Sequence, residues 1–382
     1  MKKECPYSKK CGGCRYQGFS YAKQLDIKQK ETEKHLSKFG VVKSIIKSKN
    51  IYHYRNKNKI SFSYDKKGHL HMGNYIESTH KIVDVDECQI HSELASRIFN
   101  TIKDLAIKQK INIFNEDKLK GFLRHVLIRT SNDNKHALVV LVTGVIDYKK
   151  KDKFVYDLIK AIPEIDTVVQ NINNKYTSMV LGKKSIVLYG DGYIKDELLG
   201  NTFCISSSSF YQINHDQTEN IYKKAIELAS FKGDEIVLDA YCGIGTIGIS
   251  LAKYVKHVDA VEINKEAIKD AKVNAKINNI KNIKFYAKDA KDFMKDRALA
   301  KSKYDVVIVD PPRTGLDSAF IYHLQKLSPN KIVYISCNPE TQARDLKLLK
   351  RNYKVKEIQP FDMMPFTEHI ETVVLLTKNR KK

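Results

Sequence analysis

The amino-acid sequence predicts an α/β domain built on a mainly parallel sheet, preceded by a mixed α+β domain. In the second half of the chain, short runs rich in valine and isoleucine alternate with polar segments of helical length. This alternation is typical of a parallel sheet covered by helices. The chain has 382 residues, which is longer than a chain that folds around a single hydrophobic core usually is. We therefore expect two domains, residues 1–200 and residues 201–382.

Seven strands are predicted in the second domain. Five runs should form its parallel part, and the spacing of alanine and isoleucine predicts a helix over Lys265–Asn278. The last two runs have no helix-length insert between them, so they suit an antiparallel hairpin. The predicted strands are Glu235–Ala240, His257–Ile263, Ile283–Ala287, Tyr304–Val309, Lys331–Ser336, Tyr353–Ile358 and Glu371–Leu376.

The first domain shows a different pattern. A helical stretch near Tyr21–Phe39 is followed by apolar runs at His125–Ser131, His136–Gly144 and Thr167–Asn173, which predicts a mixed α+β domain. The extreme N-terminus could pack on either half of the chain.

The chain is strongly basic, with 67 lysines and arginines against 44 acidic residues and a formal charge of +23. Such an excess favours a polyanionic partner, above all nucleic acid, although an AT-rich genome would also enrich lysine. No run approaches the ~20 apolar residues of a membrane-spanning helix. The N-terminus lacks the apolar segment of a signal peptide, and seven unevenly spaced cysteines argue against a disulfide framework. We expect a cytoplasmic protein without membrane contact or an obligate protein partner.

A glycine-rich turn follows the first predicted strand of the second domain. Gly243, Gly245 and Gly248 satisfy the pattern G-x-G-x-x-G, and Glu262 ends the next strand, where an acid can accept hydrogen bonds from ribose hydroxyls. This arrangement suits NAD as well as S-adenosylmethionine, and a simple tight turn is the structural alternative. Asp310-Pro311-Pro312-Arg313, at the end of the fourth strand, resembles the motif that lines the methyl-transfer site of class I methyltransferases. This resemblance favours methyl transfer over hydride transfer.

Cys337 ends the fifth strand at the same sheet edge, and Glu371 begins the last strand after a loop with a histidine and a second acid. An inert buried thiol and an exposed carboxylate are the structural alternatives for these two positions. Cys204 and Cys242 lack the strand-end position of Cys337.

Carbon 5 of uracil is too weak a nucleophile to take a methyl group unaided. A thiolate that adds to carbon 6 makes carbon 5 an enolate carbon, which can attack a sulfonium methyl group. A base then removes the carbon-5 proton and the cysteine is eliminated. Cys337 suits the role of nucleophile and Glu371 the role of base.

The chain resembles the bacterial uridine-5 RNA methyltransferases that modify 23S ribosomal RNA and, in related members, transfer RNA. The motifs that carry the resemblance stand in the family's order: Phe210–Asn214, Asp239–Gly245, Asp310–Arg313, Ser336–Pro339 and His369–Glu371. The resemblance implies a class I methyltransferase domain with a seven-stranded, Rossmann-like sheet, preceded by an RNA-binding domain. It also implies that S-adenosylmethionine contacts Gln212, Tyr241, Glu262 and Asp310 and that Asp289 lies near the adenine, although Lys288 replaces the usual glycine.

Four cysteines, Cys5, Cys11, Cys14 and Cys88, resemble the ligands of the iron-sulfur cluster of the ribosomal branch. Their spacing alone also permits a four-cysteine zinc site or no metal. The resemblance favours a structural or RNA-holding [4Fe-4S] cluster.

Two further segments, Tyr54–Lys57 and Leu123–His125, resemble parts of the family's central domain that suit phosphate and base contacts. The chain begins at the cysteine motif, so we expect the shorter form of the family, without the small N-terminal RNA-binding barrel. The alternatives are methylation of transfer RNA, cytosine-5 methylation of RNA, and a noncatalytic RNA-binding or rRNA-chaperoning protein with a methyltransferase fold. RNA N-methylation would leave Cys337 and Glu371 unexplained.

Overall fold

The computed structural model describes residues 4–76, 79 and 81–379. Among these residues the helices are α1 Tyr21–Leu36, α2 Glu93–Lys108, α3 Lys151–Ala161, α4 His215–Ala229, α5 Thr246–Leu251, α6 Lys265–Ile277, α7 Ala290–Leu299, α8 Ser318–Leu327 and α9 Pro339–Leu349. The strands are β1 Lys57–Tyr64, β2 Leu70–Tyr75, β3 Ile82–Asp84, β4 Leu123–Thr130, β5 Ala137–Thr143, β6 Ile165–Ile172, β7 Lys184–Tyr189, β8 Tyr193–Leu198, β9 Asn201–Ser206, β10 Ile236–Ala240, β11 His257–Glu262, β12 Ile283–Ala287, β13 Val306–Val309, β14 Lys331–Ser336, β15 Tyr353–Phe361 and β16 Glu371–Lys378. Within the described ranges, no helix has the length and apolar character needed to cross a bilayer.

The described residues divide into two compact units. The first unit comprises residues 4–18, 50–196 and 204–207, and the second comprises residues 19–49, 197–203 and 208–379. Residues 19–49 therefore pack with the second half of the chain, although they precede most of the first unit in sequence.

The first unit contains a seven-stranded sheet in the order β3-β2-β1-β4-β5-β6-β7. Its pairs are antiparallel except β5 and β6, which run parallel and are joined by α3. Both β4 and β5 are buried along their whole length, so the centre of this sheet is covered on both faces. The unit is an α+β arrangement in which α2 and α3 contribute apolar side chains to the same core.

The second unit contains the seven-stranded sheet that the sequence predicts. Its order is β12-β11-β10-β13-β14-β16-β15, and β16 runs antiparallel to both β14 and β15 while the other pairs are parallel. The α/β fold and the terminal hairpin are thus confirmed. The strands in the middle of this sheet, such as β13, are short apolar runs that are buried on both faces. Parallel strands covered by helices usually have such sequences.

Helix α1 belongs to the second unit and buries an unusually polar face. Its buried residues are Gln24, Lys28, Thr32 and Leu36, spaced four residues apart. The ammonium group of Lys28 forms a fully buried ion pair with Asp362 and also donates to the carbonyl of Met364 at 3.0 Å. The amide of Gln24 accepts a hydrogen bond from the backbone N–H of Phe366 at 2.8 Å. Helix α1 therefore fixes the segment that leads into β16.

Replacing Lys28 with methionine is expected to destabilise the protein by about 3 kcal/mol or more, because the Asp362 carboxylate then stays buried without its cation. The double variant Lys28→Met, Asp362→Leu should recover much of this loss, since neither charge remains. Urea unfolding of the two variants and the wild type measures both effects. The matched control is Lys30→Met, which removes an exposed ion pair with Asp26 on the same helix and should change stability far less, because solvent screens exposed charges. Equal losses for Lys28→Met and Lys30→Met would contradict this account.

Candidate active site

The sheet order of the second unit creates a crevice at the carboxyl end of β10. The chain leaves β10 toward β11 on one side, and β13 lies on the other side, so the direction of the connections reverses there. Ligands of open α/β sheets bind at such a reversal point. The residue after β10 is Tyr241 and the residue after β13 is Asp310, so these two side chains begin the walls of the crevice.

The turn between β10 and α5 leaves room for a ligand beside its backbone. Tyr241 and Gly245 have positive φ angles of 68° and 84°, which makes the turn tight. A side-chain carbon at Gly243 would meet no atom within 4 Å, so the space beside this residue is open. One carboxylate oxygen of Glu262 accepts from the N–H of Gly243 at 3.3 Å and the other accepts from Asn264 at 2.8 Å. These two hydrogen bonds fix the orientation of the Glu262 carboxylate beside the turn.

Asp239 stabilises the same turn through a hydrogen bond to the start of α5. Its Oδ2 atom accepts from the N–H of Gly248 at 2.8 Å, whereas its buried Oδ1 atom has no hydrogen-bond partner among the described residues. Burial, reinforced by the charges of Asp310 and Glu262, raises the pKa of Asp239 to about 8. The carboxyl group is therefore protonated in the folded protein at neutral pH.

The raised pKa of Asp239 predicts a pH-dependent stability. The unfolded chain releases this proton near the ordinary carboxyl pKa of 3.8, and the folded chain releases it only near 8. The contribution of Asp239 to stability is therefore complete below about pH 4 and is lost as the pH rises toward 8, at up to about 1.4 kcal/mol per pH unit. Asp239→Asn keeps an acceptor for the Gly248 N–H but has no proton to lose. Urea unfolding from about pH 5 to 8 should show a flatter profile for Asp239→Asn, and parallel profiles would contradict the prediction.

Two further predicted cofactor residues lie at helix starts. Gln212 is half-buried in the segment before α4, two residues before Asn214, whose side chain caps that helix. Asp289 caps α7: its Oδ1 atom accepts from the N–H of Lys291 at 2.9 Å. Capping explains an aspartate at position 289 without a ligand, although the charge of Asp289 acts on Tyr241 and so lies near the crevice.

Cys337 and Glu371 lie side by side at the carboxyl edge of the sheet. In the antiparallel pair of β14 and β16, Ser336 is opposite Thr372, so the next pair along the two strands is Cys337 and Glu371. Burial and the nearby charges of Glu371 and Asp310 raise the pKa of Cys337 to about 11. Burial, with the charge of Asp310, also raises the pKa of Glu371 well above its ordinary value. Burial raises the pKa of Asp310 to about 7.

Arg313 is the cation of this cluster. The positive charge of its guanidinium group lowers the pKa of both Cys337 and Glu371, in opposition to burial. The guanidinium group donates to the Nδ1 atom of His369. The backbone carbonyl of Arg313 accepts from Thr341 at 3.1 Å, which fixes the loop after β13. Arg313 is not among the predicted catalytic residues, although its place directly after Asp310-Pro311-Pro312 would have indicated a position at the site.

The other two thiols of the second half differ from Cys337. Cys242 is 4% exposed and burial raises the pKa of its thiol well above the ordinary value, so it stays protonated. Cys204 lies in β9 and is also buried. Cys337 is partly exposed.

Four cysteines of the first unit line one small cavity: Cys5, Cys11, Cys14 and Cys88. Burial and the other three thiols raise the pKa of Cys14 to about 12. The amide of Asn74 donates to the sulfur of Cys11 at 3.9 Å. Across the described ranges, however, no three histidine, cysteine or acidic side chains converge closely enough to hold a metal ion.

The segment Leu123–His125 serves the first unit internally. Arg124 is 3% exposed, and its guanidinium group donates to both carboxylate oxygens of Glu116 at 2.8 and 2.6 Å. It also donates to the carbonyls of Asn173 and Lys175. The donors of Arg124 are thus engaged by protein partners and hold a loop of the first unit, while RNA contact by the segment Leu123–His125 stays a prediction.

Comparisons with known proteins agree on one family. The family described as tRNA (Uracil-5-)-methyltransferase matches residues 20–379. An uncharacterized RNA methyltransferase of Staphylococcus epidermidis is 41% identical over 99% of this chain and 84% of its own length. One from Halalkalibacterium halodurans is 40% identical over 97% of this chain and 82% of its own. The crystal structure of Pyrococcus abyssi tRNA (uracil-54, C5)-methyltransferase with S-adenosyl-L-homocysteine superimposes with a TM-score of 0.81 and 31% identity, covering 96% of this chain and 86% of that one.

Proposed function

The chain belongs to the tRNA (uracil-5-)-methyltransferase family and is an RNA methyltransferase, and from this premise we propose that it methylates carbon 5 of a uridine in 23S rRNA. The observation that carries the proposal is the strand register that sets Cys337 beside Glu371, at the edge where Asp310 lies. Carbon-5 methylation of uracil requires a nucleophile and a base close together, and here one follows β14 while the other begins β16.

In the proposed reaction the sulfur of Cys337 bonds to carbon 6 of uracil, and the electron pair of the C5=C6 bond moves into an enolate. Carbon 5 then takes the methyl group that S-adenosylmethionine supplies from its sulfonium. Glu371 removes the carbon-5 proton, the C5=C6 bond re-forms and the C6–S bond breaks. The thiolate that leaves is the one that attacked, so the enzyme is regenerated.

The electrostatics of the site bear on how Cys337 is activated. A thiol with a pKa of about 11 is protonated at neutral pH, so its proton must leave as the sulfur attacks. The positive charge of Arg313 stabilises the thiolate form of Cys337. The charges of Glu371 and Asp310 destabilise it until these carboxyl groups are protonated or paired with a cation.

The crevice fits an adenosine-containing methyl donor. We infer that Gly243 and Gly245 let the donor approach the backbone and that Glu262 accepts the ribose hydroxyls. Tyr241, Gln212 and Asp310 would complete its contacts, with Asp289 near the adenine. The open space beside Gly243 and the fixed Glu262 carboxylate support this assignment.

The four-cysteine cavity offers four thiol ligands to a metal centre, either a cluster or a single zinc ion. One zinc ion draws four sulfurs to about 2.3 Å from a single centre, whereas a cubane cluster holds each cysteine on a different iron. Four thiols that line one cavity could serve either group, and their resemblance to the cluster ligands of the family's ribosomal branch favours the second arrangement. We propose a [4Fe-4S] cluster on Cys5, Cys11, Cys14 and Cys88 that stabilises the first unit or helps hold RNA. Iron and sulfide analysis of anaerobically purified protein tests it, and zinc without iron would overturn it.

Transfer RNA is the second candidate substrate, because the Pyrococcus abyssi enzyme with the same fold is a tRNA (uracil-54, C5)-methyltransferase. The test incubates the protein and labelled S-adenosylmethionine with 23S rRNA or tRNA transcripts that carry tritium at carbon 5 of uridine. The proposal expects methyl transfer with stoichiometric tritium release from 23S rRNA. Transfer to tRNA alone would replace the substrate, and transfer without tritium release would overturn the chemistry. We expect this reaction to take place in the cytoplasm.

A further inference from the structure

A lysine-lined cavity lies in the first unit, between the end of α2 and one face of α3, and shares no lining residue with the cysteine cavity. Its volume is about 680 Å³. Five lysines and one aspartate line it, a formal charge of +4, and we call it the α2–α3 lysine cavity. The charged lining residues are Lys108, Lys149, Lys150, Lys153, Lys160 and Asp157.

Two of the five lysines have partners within the unit. Lys150 donates to the carbonyls of Gln109 at 2.6 Å and Lys110 at 3.2 Å, which closes the C-terminal end of α2. Lys153 pairs with Asp157 at 2.9 Å. The remaining three line the cavity with exposed side chains and have no carboxylate within ion-pair distance in the described part of the chain: Lys108, Lys149 and Lys160.

A second large cavity shows that the lysine-rich composition alone does not produce this excess. It lies in the second unit, has a volume of about 590 Å³ and is lined by two lysines and two glutamates. Lys223 there pairs with Glu219 at 2.6 Å. The same chain therefore balances the charge in one cavity and leaves it unbalanced in the other.

The position of the lysines on α3 is also unfavourable for the helix itself. The run Lys149–Lys151 lies at the N-terminal end, where the helix macrodipole already provides positive charge, and the N-cap residue Lys150 makes no side-chain capping bond. Tyr156 is 64% exposed on the face of α3 that carries Lys153 and Lys160. Helix stability does not account for this combination, and exposed cations beside an exposed aromatic ring are the groups that bind a phosphate chain with stacked bases.

We propose that the α2–α3 lysine cavity binds phosphates of the RNA substrate other than those of the nucleotide being methylated. This inference rests on the proposed function, because it takes a structured RNA as the substrate. Lysine ammonium groups act as point charges toward phosphate and read no sequence, so the cavity contributes affinity and not the choice of uridine.

The test compares two triple variants with the same change in charge. One is Lys108→Gln, Lys149→Gln, Lys160→Gln, which keeps Lys150 and Lys153 in their internal roles. The control changes three exposed lysines of the second unit: Lys223→Gln, Lys253→Gln, Lys256→Gln. The probe is an unmodified 23S rRNA transcript, bound in filter assays from about 0.05 to 0.3 M KCl, and thermal unfolding checks that both variants fold.

Loss of three phosphate contacts is expected to lower the slope of log affinity against log salt by about 2 and to weaken binding roughly tenfold or more near 0.1 M salt. The control should change both quantities much less. Equal effects of the two variants, or a cavity variant that binds like the wild type, would overturn the inference. Weaker binding to polyglutamate with unchanged RNA binding would assign the cavity to an acidic protein and also overturn it. Wild-type protein that binds the transcript without methylating it would overturn the proposed function, yet the variant comparison would still decide the cavity.

Discussion

Cys337→Ala is expected to reduce methyl transfer to RNA on the order of 10⁴-fold or more, because without a sulfur at carbon 6 the uracil ring has no enolate to attack the methyl donor. The site's geometry gives the reason for choosing this thiol. Cys337 is partly exposed and its thiolate form is stabilised by the charge of Arg313, whereas Cys242 is buried. The measurement is transfer of labelled methyl groups to a 23S rRNA transcript.

The control for this variant is Cys204→Ala, which removes a buried thiol of β9 and should retain methyl transfer. A substrate with 5-fluorouridine separates the chemistry from binding, because fluorine cannot leave carbon 5 as a proton does. The wild type and Cys204→Ala should then form a covalent protein–RNA adduct that survives denaturation, and Cys337→Ala should form none. An adduct with Cys337→Ala would exclude this thiol as the nucleophile.

Much of the second unit was predictable because its sequence pattern is local. A buried parallel strand is a short apolar run, and the run at Lys331–Ser336 forms such a strand with the predicted bounds. The run at Ile283–Ala287 also forms a strand with the predicted bounds, at the edge of the sheet. Residues that follow parallel strands meet at one sheet edge, so the strand pattern alone was enough to predict that Asp310 and Cys337 approach each other.

The parts that escaped prediction depend on contacts distant in sequence. The polar buried face of α1 shows no amphipathic signal toward a core, and Lys28 meets Asp362 across more than 300 residues, so its membership of the second unit could not be read locally. Arg124 lies in a segment whose sequence suits phosphate contacts. Its guanidinium group instead donates to the carboxylate of Glu116 and to backbone carbonyls of a later loop. In both cases a charged residue that reads as exposed is buried because a specific partner accompanies it.

Glu371→Gln is expected to leave addition and methyl transfer possible but to block removal of the carbon-5 proton. The amide keeps the size of the side chain and cannot accept the proton, so tritium release from carbon 5 should fall about 10²- to 10⁴-fold. A methylated covalent adduct between Cys337 and RNA should then accumulate with ordinary uridine substrate. Denaturing gels with labelled RNA and labelled methyl donor detect it directly.

The pH profile connects this variant with the electrostatics of the site. Since burial and Asp310 raise the pKa of Glu371 well above its ordinary value, the carboxylate form needed for proton removal gains population as the pH rises. The rate of tritium release by the wild type should therefore rise with pH, in a pH range above the one in which an ordinary carboxyl group loses its proton. The residual release by Glu371→Gln should not show this rise. Glu368→Gln is the matched control, because Glu368 is an exposed acid three residues earlier in the same loop and should retain both rate and profile. If Glu371→Gln turned over at the wild-type rate, or if Glu368→Gln accumulated the adduct instead, the base would have to be reassigned within the loop that α1 holds in place.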